Sequence, residues 1–144
     1  MRTSLLALAA LALTATSTGA ALADASPDGG ALFGVWRNPK NSVHVDIRRC
    51  GAKACGYVVW ASEKAKADAR KGTDKPLIGM RLFENLDPSR SGVWRGKVFV
   101  PDQNRTFSGS AQPLDGKTLR AKGCLFGNVL CKSQIWTRIE EASR

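Results

Sequence analysis

Apolar and polar side chains alternate strictly along residues 42–49 of this 144-residue chain. The apolar positions are Val43, Val45 and Ile47, and the polar positions between them are His44, Asp46 and Arg48. In a β-strand successive side chains point to opposite faces, and β-branched residues favour the extended backbone. The pattern therefore predicts a strand with one face in the core and the other towards solvent.

Short extended segments of this kind recur along the chain and are separated by turn residues. They begin near Leu32 and continue at residues 56–60, 76–83, 93–100, 106–111, 117–123 and 133–139. Turns are predicted where Pro, Gly, Asp and Asn cluster, at residues 87–92, 101–104 and 115–116. Residues 62–75 break the pattern, because five Lys or Arg and three acids are interspersed with alanines. They predict a solvated excursion with one or two helical turns over residues 63–70.

About eight sequential strands joined by short turns predict an all-β domain. We expect a small antiparallel up-and-down barrel, since closing the sheet removes both unpaired edges. A sandwich of two sheets is the alternative architecture. The chain length and the lack of an internal repeat favour a single β-barrel domain, which we place at residues 32–140.

Residues 1–23 have the organisation of a cleavable signal peptide. A short basic start is followed by an apolar run and then by small residues at the positions that a signal peptidase reads. Cleavage is predicted after Ala23, with Ala20 and Ala25 as alternatives, and residues 24–31 are predicted to form a flexible N-terminal segment. No other apolar stretch reaches membrane length, so we expect a periplasmic or secreted protein without a transmembrane segment after cleavage.

The four cysteines predict two disulfides, because an exported protein matures in an oxidising compartment. In each of two cysteine pairs, a tight turn between strand-like runs would place the two Cβ atoms opposite each other. We therefore predict the pairings Cys50–Cys55 and Cys124–Cys131. The crossed pairings and a four-cysteine zinc site are the alternatives, although the spacings are looser than those of zinc knuckles.

The chain is basic, with 22 Lys or Arg against 12 Asp or Glu and a formal net charge of +10. On the predicted strands Arg95 shares a face with Lys97, and Arg120 shares a face with Lys122. A positive sheet face attracts anionic polymers and lipid head groups. A basic protein that binds the anionic envelope surface is therefore one functional alternative, whereas nucleic acid is not an expected partner because no recognition motif is present.

Sequence signatures of catalysis are scarce. The sequence contains no phosphate-binding loop, dinucleotide fingerprint, nucleophile elbow or metal-binding His pair, so we predict no cofactor and no metal. His44 and Asp46 lie on one face of a predicted strand and could form the acid–base pair of a hydrolase-type enzyme. An exposed strand histidine is the simpler interpretation, and we predict that the protein is not an enzyme.

An ordered set of short motifs resembles an exported bacterial family called domain of unknown function 2147. The motifs are Gly34-Val35-Trp36, Cys55 to Trp60, Trp94-Arg95-Gly96, Thr106 to Gly109 and Gln134 to Arg138. The resemblance covers residues 34–138. The family has no assigned activity, so the resemblance implies architecture and location rather than chemistry.

The early Gly34-x-Trp36 motif and the late Arg138 also resemble lipocalin-like barrels, in which a basic residue of the last strand lies against the Trp of the first. This likeness implies that Arg138 packs over the Trp36 ring and seals one end of the barrel. The aromatic residues of such a barrel could line a pocket for an apolar ligand, with plain core packing as the alternative. We predict a binding module for a small apolar or amphipathic ligand, with the candidate residues Trp36, Trp60, Trp94, Trp136 and Arg138.

Overall fold

A computed structural model of the chain describes residues 30–140. Eight strands, one α-helix and one short 3₁₀ helix, Pro101–Gln103, follow one another in this part of the chain. The strands are β1 Gly34–Arg37, β2 Val43–Cys50, β3 Lys53–Ala61, β4 Arg81–Pro88, β5 Trp94–Val100, β6 Arg105–Pro113, β7 Thr118–Phe126 and β8 Val129–Arg138, and the helix is α1 Glu63–Ala69. The predicted signal peptide and most of the predicted flexible segment lie outside the described residues.

The strands form a closed antiparallel barrel in which each strand pairs with the next and β8 returns to β1. The closing ladder pairs Trp36 with Arg138 and Arg37 with Thr137. The predicted up-and-down barrel is therefore confirmed, and the sandwich alternative is wrong. Closure leaves no free edge among these strands, which protects the sheet from edge-to-edge association.

The inward side chains of alternate residues fill the barrel. On β2, Val45 and Ile47 are fully buried and Val43 is half-buried, as the alternation predicts. The largest fully buried side chains come from several strands and from the segment before β1, and they are Trp36, Leu32, Ile47, Leu86, Leu119, Val45 and Val58. The core is therefore shared around the whole barrel rather than concentrated on one sheet face.

The two ends of the barrel differ, and they are named here by the connections that they carry. The open end carries the connections at residues 38–42, 62–80, 101–104 and 127–128, and the closed end carries those at residues 51–52, 89–93 and 114–117. This division follows from the antiparallel order of the strands. Among residues 30–140 no helix is long and apolar enough to cross a membrane.

The connection at residues 62–80 begins with helix α1, which confirms the predicted helical turns. The Ser62 hydroxyl accepts a hydrogen bond from the Ala65 amide at 3.1 Å and caps the helix N-terminus. The connection is less solvated than predicted, because Ala69 and Leu77 are buried in the core cluster. Its alanines allow the close approach, while the lysines point outwards.

Strand β4 differs from its predicted position. The extended segment predicted from residue 76 becomes a strand only at Arg81, because Gly79 takes a φ of +85° in a turn beside β3. In that turn the Gly79 amide donates to the Val58 carbonyl at 2.7 Å. At its other end β4 continues through Pro88, so the predicted turn at residues 87–92 begins later, at Ser89.

Both predicted disulfides are present, and no free cysteine occurs in the described part of the chain. Cys124 and Cys131 lie directly opposite each other on β7 and β8. Cys50 and Cys55 are instead diagonal, since Cys50 pairs with Lys53 and Cys55 pairs with Arg48. The expectation that both pairs are directly opposed is therefore wrong for the first pair, whose Cα atoms are 5.8 Å apart.

Candidate ligand-binding site

Arg138 closes one end of the barrel. Its guanidinium donates to the backbone carbonyls of Ala31, Phe33 and Gly116, the last two at 2.7 Å and 2.8 Å. These bonds fasten the segment before β1 and the β6–β7 turn to the last strand. The Ala31 carbonyl is therefore held to the last strand of the barrel.

Trp36 forms the apolar surface beneath this guanidinium. The Arg138 guanidinium carbon lies 4.2 Å from the centroid of the buried indole ring. The Trp36 Nε1 donates to the Leu32 carbonyl at 2.8 Å, so its polar atom is satisfied in the core. The predicted contact of Arg138 with Trp36 is confirmed, and a contact of this kind contributes about 0.5–2 kcal/mol.

A cavity of about 310 Å³ occupies the barrel between the core and the open end. Its floor is aromatic, with the rings of Phe83 and Trp136 meeting edge to face at a centroid distance of 5.7 Å. The other apolar lining residues include Val98, Val100, Phe107, Ala121, Leu125 and Leu130. The volume is at the lower end of the roughly 300–1,000 Å³ that small-molecule sites span.

The polar residues that line the cavity are Gln103, Lys122, Lys132 and Gln134. Lys122 pairs with Ser133 on the outward face of the sheet, so it borders the cavity from the wall. On the paired strands β7 and β8, Gly123 faces Lys132 and Ala121 faces Gln134. Directly opposed residues share a face of the sheet. Lys132 therefore extends on the inward face, and the missing side chain of Gly123 leaves space beside it, since a Cβ there meets no atom within 4 Å.

The inward charge at the cavity is positive. Lys132 lies on the inward face, Lys122 borders the cavity from the outward face, and no Asp or Glu among residues 30–140 lines it. An apolar floor below a cationic rim matches the chemistry of an amphipathic anion, whose chain avoids water while its head group stays near the surface.

The sequence of residues 34–138 matches a family described as an uncharacterized protein conserved in bacteria, DUF2147. The match covers most of the chain and the whole length of the barrel from β1 to β8. The chain belongs to this family. No functionally curated protein matches the DUF2147 chain.

The fold of the DUF2147 barrel is similar to a solved structure titled "Protein HP1028 from the human pathogen Helicobacter pylori belongs to the lipocalin family". The two share 15% sequence identity with a TM-score of 0.60, and the superposition covers 76% of this chain and 84% of the other. At this identity the similarity establishes the fold. It supports the lipocalin-like architecture that Gly34, Trp36 and Arg138 imply.

The five ligand-binding candidates do not converge on the cavity of the DUF2147 barrel. Trp136 lines it, whereas Trp36 and Arg138 form the closed end. Trp94 is buried against Phe33, with their ring centroids 5.9 Å apart. Trp60 is partly exposed on the outer surface.

His44 and Asp46 are not joined as the enzyme hypothesis requires. The His44 ring stacks on Trp60 with a centroid distance of 4.4 Å, and its Nε2 is hydrogen-bonded to the Asn41 Oδ1 at 2.7 Å. Among residues 30–140, His44 forms no hydrogen bond with Asp46. Burial, and to a lesser extent the positive charge of Arg37, lower the pKa of His44.

A second hollow, of about 230 Å³, lies on β5–β7 and the β7–β8 turn. Arg95 and Lys122 contribute its charges, and Ser108 and Ser110 contribute hydroxyl groups. It is more polar than the cavity inside the barrel and contains part of the basic sheet face that the sequence predicts. Lys122 borders both hollows, and it pairs with Ser110 on β6 and Ser133 on β8.

Sequence reasoning missed the polar half of the cavity. The sequence-based candidates for ligand binding are mostly aromatic residues selected by type, so they do not include Lys132, Gln134 or Gly123. The available signal was the alternation along β8, in which Trp136, Gln134 and Lys132 fall on one face. That signal becomes specific only when Trp136 is known to point inwards.

Proposed function

We propose that this DUF2147 barrel binds a small amphipathic ligand in the cavity between Trp136 and the open end. The observation that supports this proposal most directly is the cavity itself, with an aromatic floor and a cationic rim. Similarity to a lipocalin-family structure supports the use of the barrel interior. The ligand is small, because the cavity holds about 310 Å³.

The charge of the rim favours an anionic head group. Lys132 lies on the same face of β8 as Trp136, four residues closer to the open end. A carboxylate bound there would keep its alkyl chain on the Phe83 and Trp136 rings. The proposed ligand class is therefore a medium-chain fatty acid or another anion with an apolar body.

Filling the space beside Gly123 tests this proposal. The backbone of Gly123 is not in the left-handed region and a Cβ there has open space, so Gly123→Leu is compatible with the fold. We expect this variant to reduce dodecanoate binding at least about tenfold, as measured by displacement of anilinonaphthalene sulfonate fluorescence. The matched control is Ser133→Leu, which adds the same side chain to the outward face of β8.

A second variant separates the head group from the chain. Because Lys132 is exposed, Lys132→Gln should weaken dodecanoate binding only about two- to fivefold and leave dodecanol binding unchanged. Equal dodecanoate binding by Gly123→Leu, Ser133→Leu and the unaltered protein would place the ligand elsewhere. In that case the cavity proposal is wrong.

We also propose that the protein acts in the periplasm or outside the cell. Two disulfides support this location, since disulfides form and persist in oxidising compartments. Fractionation of bacteria by osmotic shock, with antibody detection, checks the location. Recovery of the protein only with cytoplasmic markers would contradict it.

A further inference from the structure

The hairpin between β7 and β8 exposes an unusual concentration of large apolar side chains. The exposed fractions are 46% for Leu125, 70% for Phe126, 60% for Val129 and 65% for Leu130. The other exposed large apolar residues of the described chain are scattered and all lie below 50%. Single exposed apolar residues are ordinary on protein surfaces, whereas a contiguous exposed group indicates an interaction site.

The tip, residues 125–130, is not paired with the neighbouring strands β6 and β1. The ladder between β6 and β7 ends at the pair Ser108 and Cys124, and β1 pairs with β8 only at its far end. Within the hairpin, Cys124 is bonded to Cys131, and the two-residue Gly127-Asn128 turn follows the pair Phe126 and Val129. The tip is therefore a short hairpin, closed by a disulfide, whose two outer backbone edges have no strand partner among the described residues.

Positive charge flanks the apolar tip. Lys122 and Lys132 stand just behind the tip on its two strands, and the sequence contains no acid between Asp115 and Glu140. Arg105 begins β6 at the same end of the barrel. The connection at residues 62–80, also at this end, carries five Lys or Arg against three Asp or Glu.

An apolar tip followed by lysines has the chemistry of an interfacial membrane anchor. Apolar side chains enter the boundary between head groups and acyl chains, and the lysines meet anionic lipid head groups. Each basic residue near an anionic surface adds about 1 kcal/mol of attraction. An acidic water-soluble protein would match the lysines and would leave the apolar tip unexplained.

We propose that residues 125–130 dock the barrel onto an anionic lipid bilayer by inserting the apolar tip at the membrane interface. Leu125 and Leu130 also line the cavity, so docking places the mouth of the barrel at the membrane surface. This proposal is separate from the proposed ligand binding. It names the lipid bilayer as the anionic surface that the basic composition of the chain led us to consider.

Sedimentation with vesicles tests the docking. The protein with both disulfides formed is mixed with phosphatidylcholine vesicles containing about 30% phosphatidylglycerol and with phosphatidylcholine alone. We expect binding to the anionic vesicles, weaker binding to the neutral ones, and weakening when NaCl rises from about 0.1 to 0.5 M. Phe126→Asp should reduce the partition coefficient at least about tenfold, and Phe126→Trp should preserve binding.

The matched control is Leu114→Asp. Leu114 is an exposed apolar residue in the turn at the other end of β7, where the proposed orientation keeps it away from the membrane. The partition coefficient of the Leu114→Asp variant should match that of the unaltered protein. Phe126 does not line the cavity, so Phe126→Asp should still bind dodecanoate, and a failure of docking is then distinguishable from a failure of ligand binding.

Three outcomes would overturn the proposal. The first is no binding to anionic vesicles, and the second is equal loss of binding in Phe126→Asp and Leu114→Asp. The third is a dimer in light scattering that Phe126→Asp converts to a monomer, together with no vesicle binding. That result would assign the tip to association between two copies of the chain.

Discussion

At the scale of single residues, His44 shows how surroundings change the chemistry of a side chain. Its ring stacks on Trp60 and bonds to Asn41, and the neutral form is favoured by burial and by Arg37. Because the pKa of His44 is lowered in the folded state, the neutral ring contributes to the stability of the fold. This contribution is fully present above the unfolded pKa of about 6.5, and it is lost as the pH falls through the folded pKa. The His44 ring therefore packs against Trp60 in its neutral form above that pH.

The pKa of His44 can be measured without ambiguity because the chain has one histidine. We predict a pKa below about 6.5 from the titration of its imidazole proton signal by NMR. Arg37→Gln should raise this pKa only partway, since burial is the larger cause of the shift. A pKa at or above the ordinary value would contradict the surroundings described for the ring.

At the scale of elements, the connection at residues 62–80 is held against the 3₁₀ helix Pro101–Gln103. Gly72 makes this approach possible, because a Cβ at that position would collide with the Pro101 carbonyl oxygen and with the Asp102 backbone. Backbone atoms cannot swing aside as a side chain can. The glycine therefore fixes how closely helix α1 and its following loop lie against the open end.

Gly72→Ala should lower the free energy of unfolding by about 1–3 kcal/mol, the usual range for overpacking. Urea denaturation followed by tryptophan fluorescence measures this change. The control is Gly116→Ala in the β6–β7 turn, where a Cβ meets nothing within 4 Å and stability should change little. If both substitutions change the free energy of unfolding equally, the added Cβ at Gly72 is accommodated without a loss of stability and the prediction is wrong.

At the scale of the whole molecule, the two ends of the barrel differ. The closed end is held by Arg138, and the open end carries the cavity and the apolar tip. The seal depends on Arg138, which joins β8 to the segment before β1 and to the β6–β7 turn. The ladder between β1 and β8 contains two residue pairs, so the guanidinium supplements a short seam. Its removal would leave three carbonyls without this donor and would uncover Trp36.

Arg138→Gln should therefore lower the free energy of unfolding by about 2–3 kcal/mol, from the lost hydrogen bonds and the lost contact with Trp36. Arg120→Gln on the outward face of β7 removes a similar side chain and should change stability by less than about 0.5 kcal/mol. Urea midpoints of the two variants provide the comparison. Indistinguishable midpoints would mean that the seam holds without the guanidinium.

The local pattern of the sequence was sufficient for most of the strands and for the disulfide pairing, because alternation along β2 and turn residues such as Asp115-Gly116 are short-range signals. The contact of Arg138 with Trp36 joins distant residues, and its prediction came from the resemblance to lipocalin-like barrels. The start of β4 was missed because the turn at Gly79 depends on hydrogen bonds to β3, a strand about twenty residues earlier. Sequence patterns do not carry such distant partners.

The sequence by itself determined a basic β-domain with two disulfides, because composition and period-two patterning can be read from the residues in order along the chain. Only the tertiary structure decided that Trp136 faces a cavity, that Trp60 lies outside, and that Lys132 stands at the rim. Closing a sheet sets the direction of every side chain at once, and the same residue type can then line a cavity, pack the core or face solvent. The apolar tip likewise required the tertiary structure, because the sequence does not show that Leu125, Phe126, Val129 and Leu130 are exposed together.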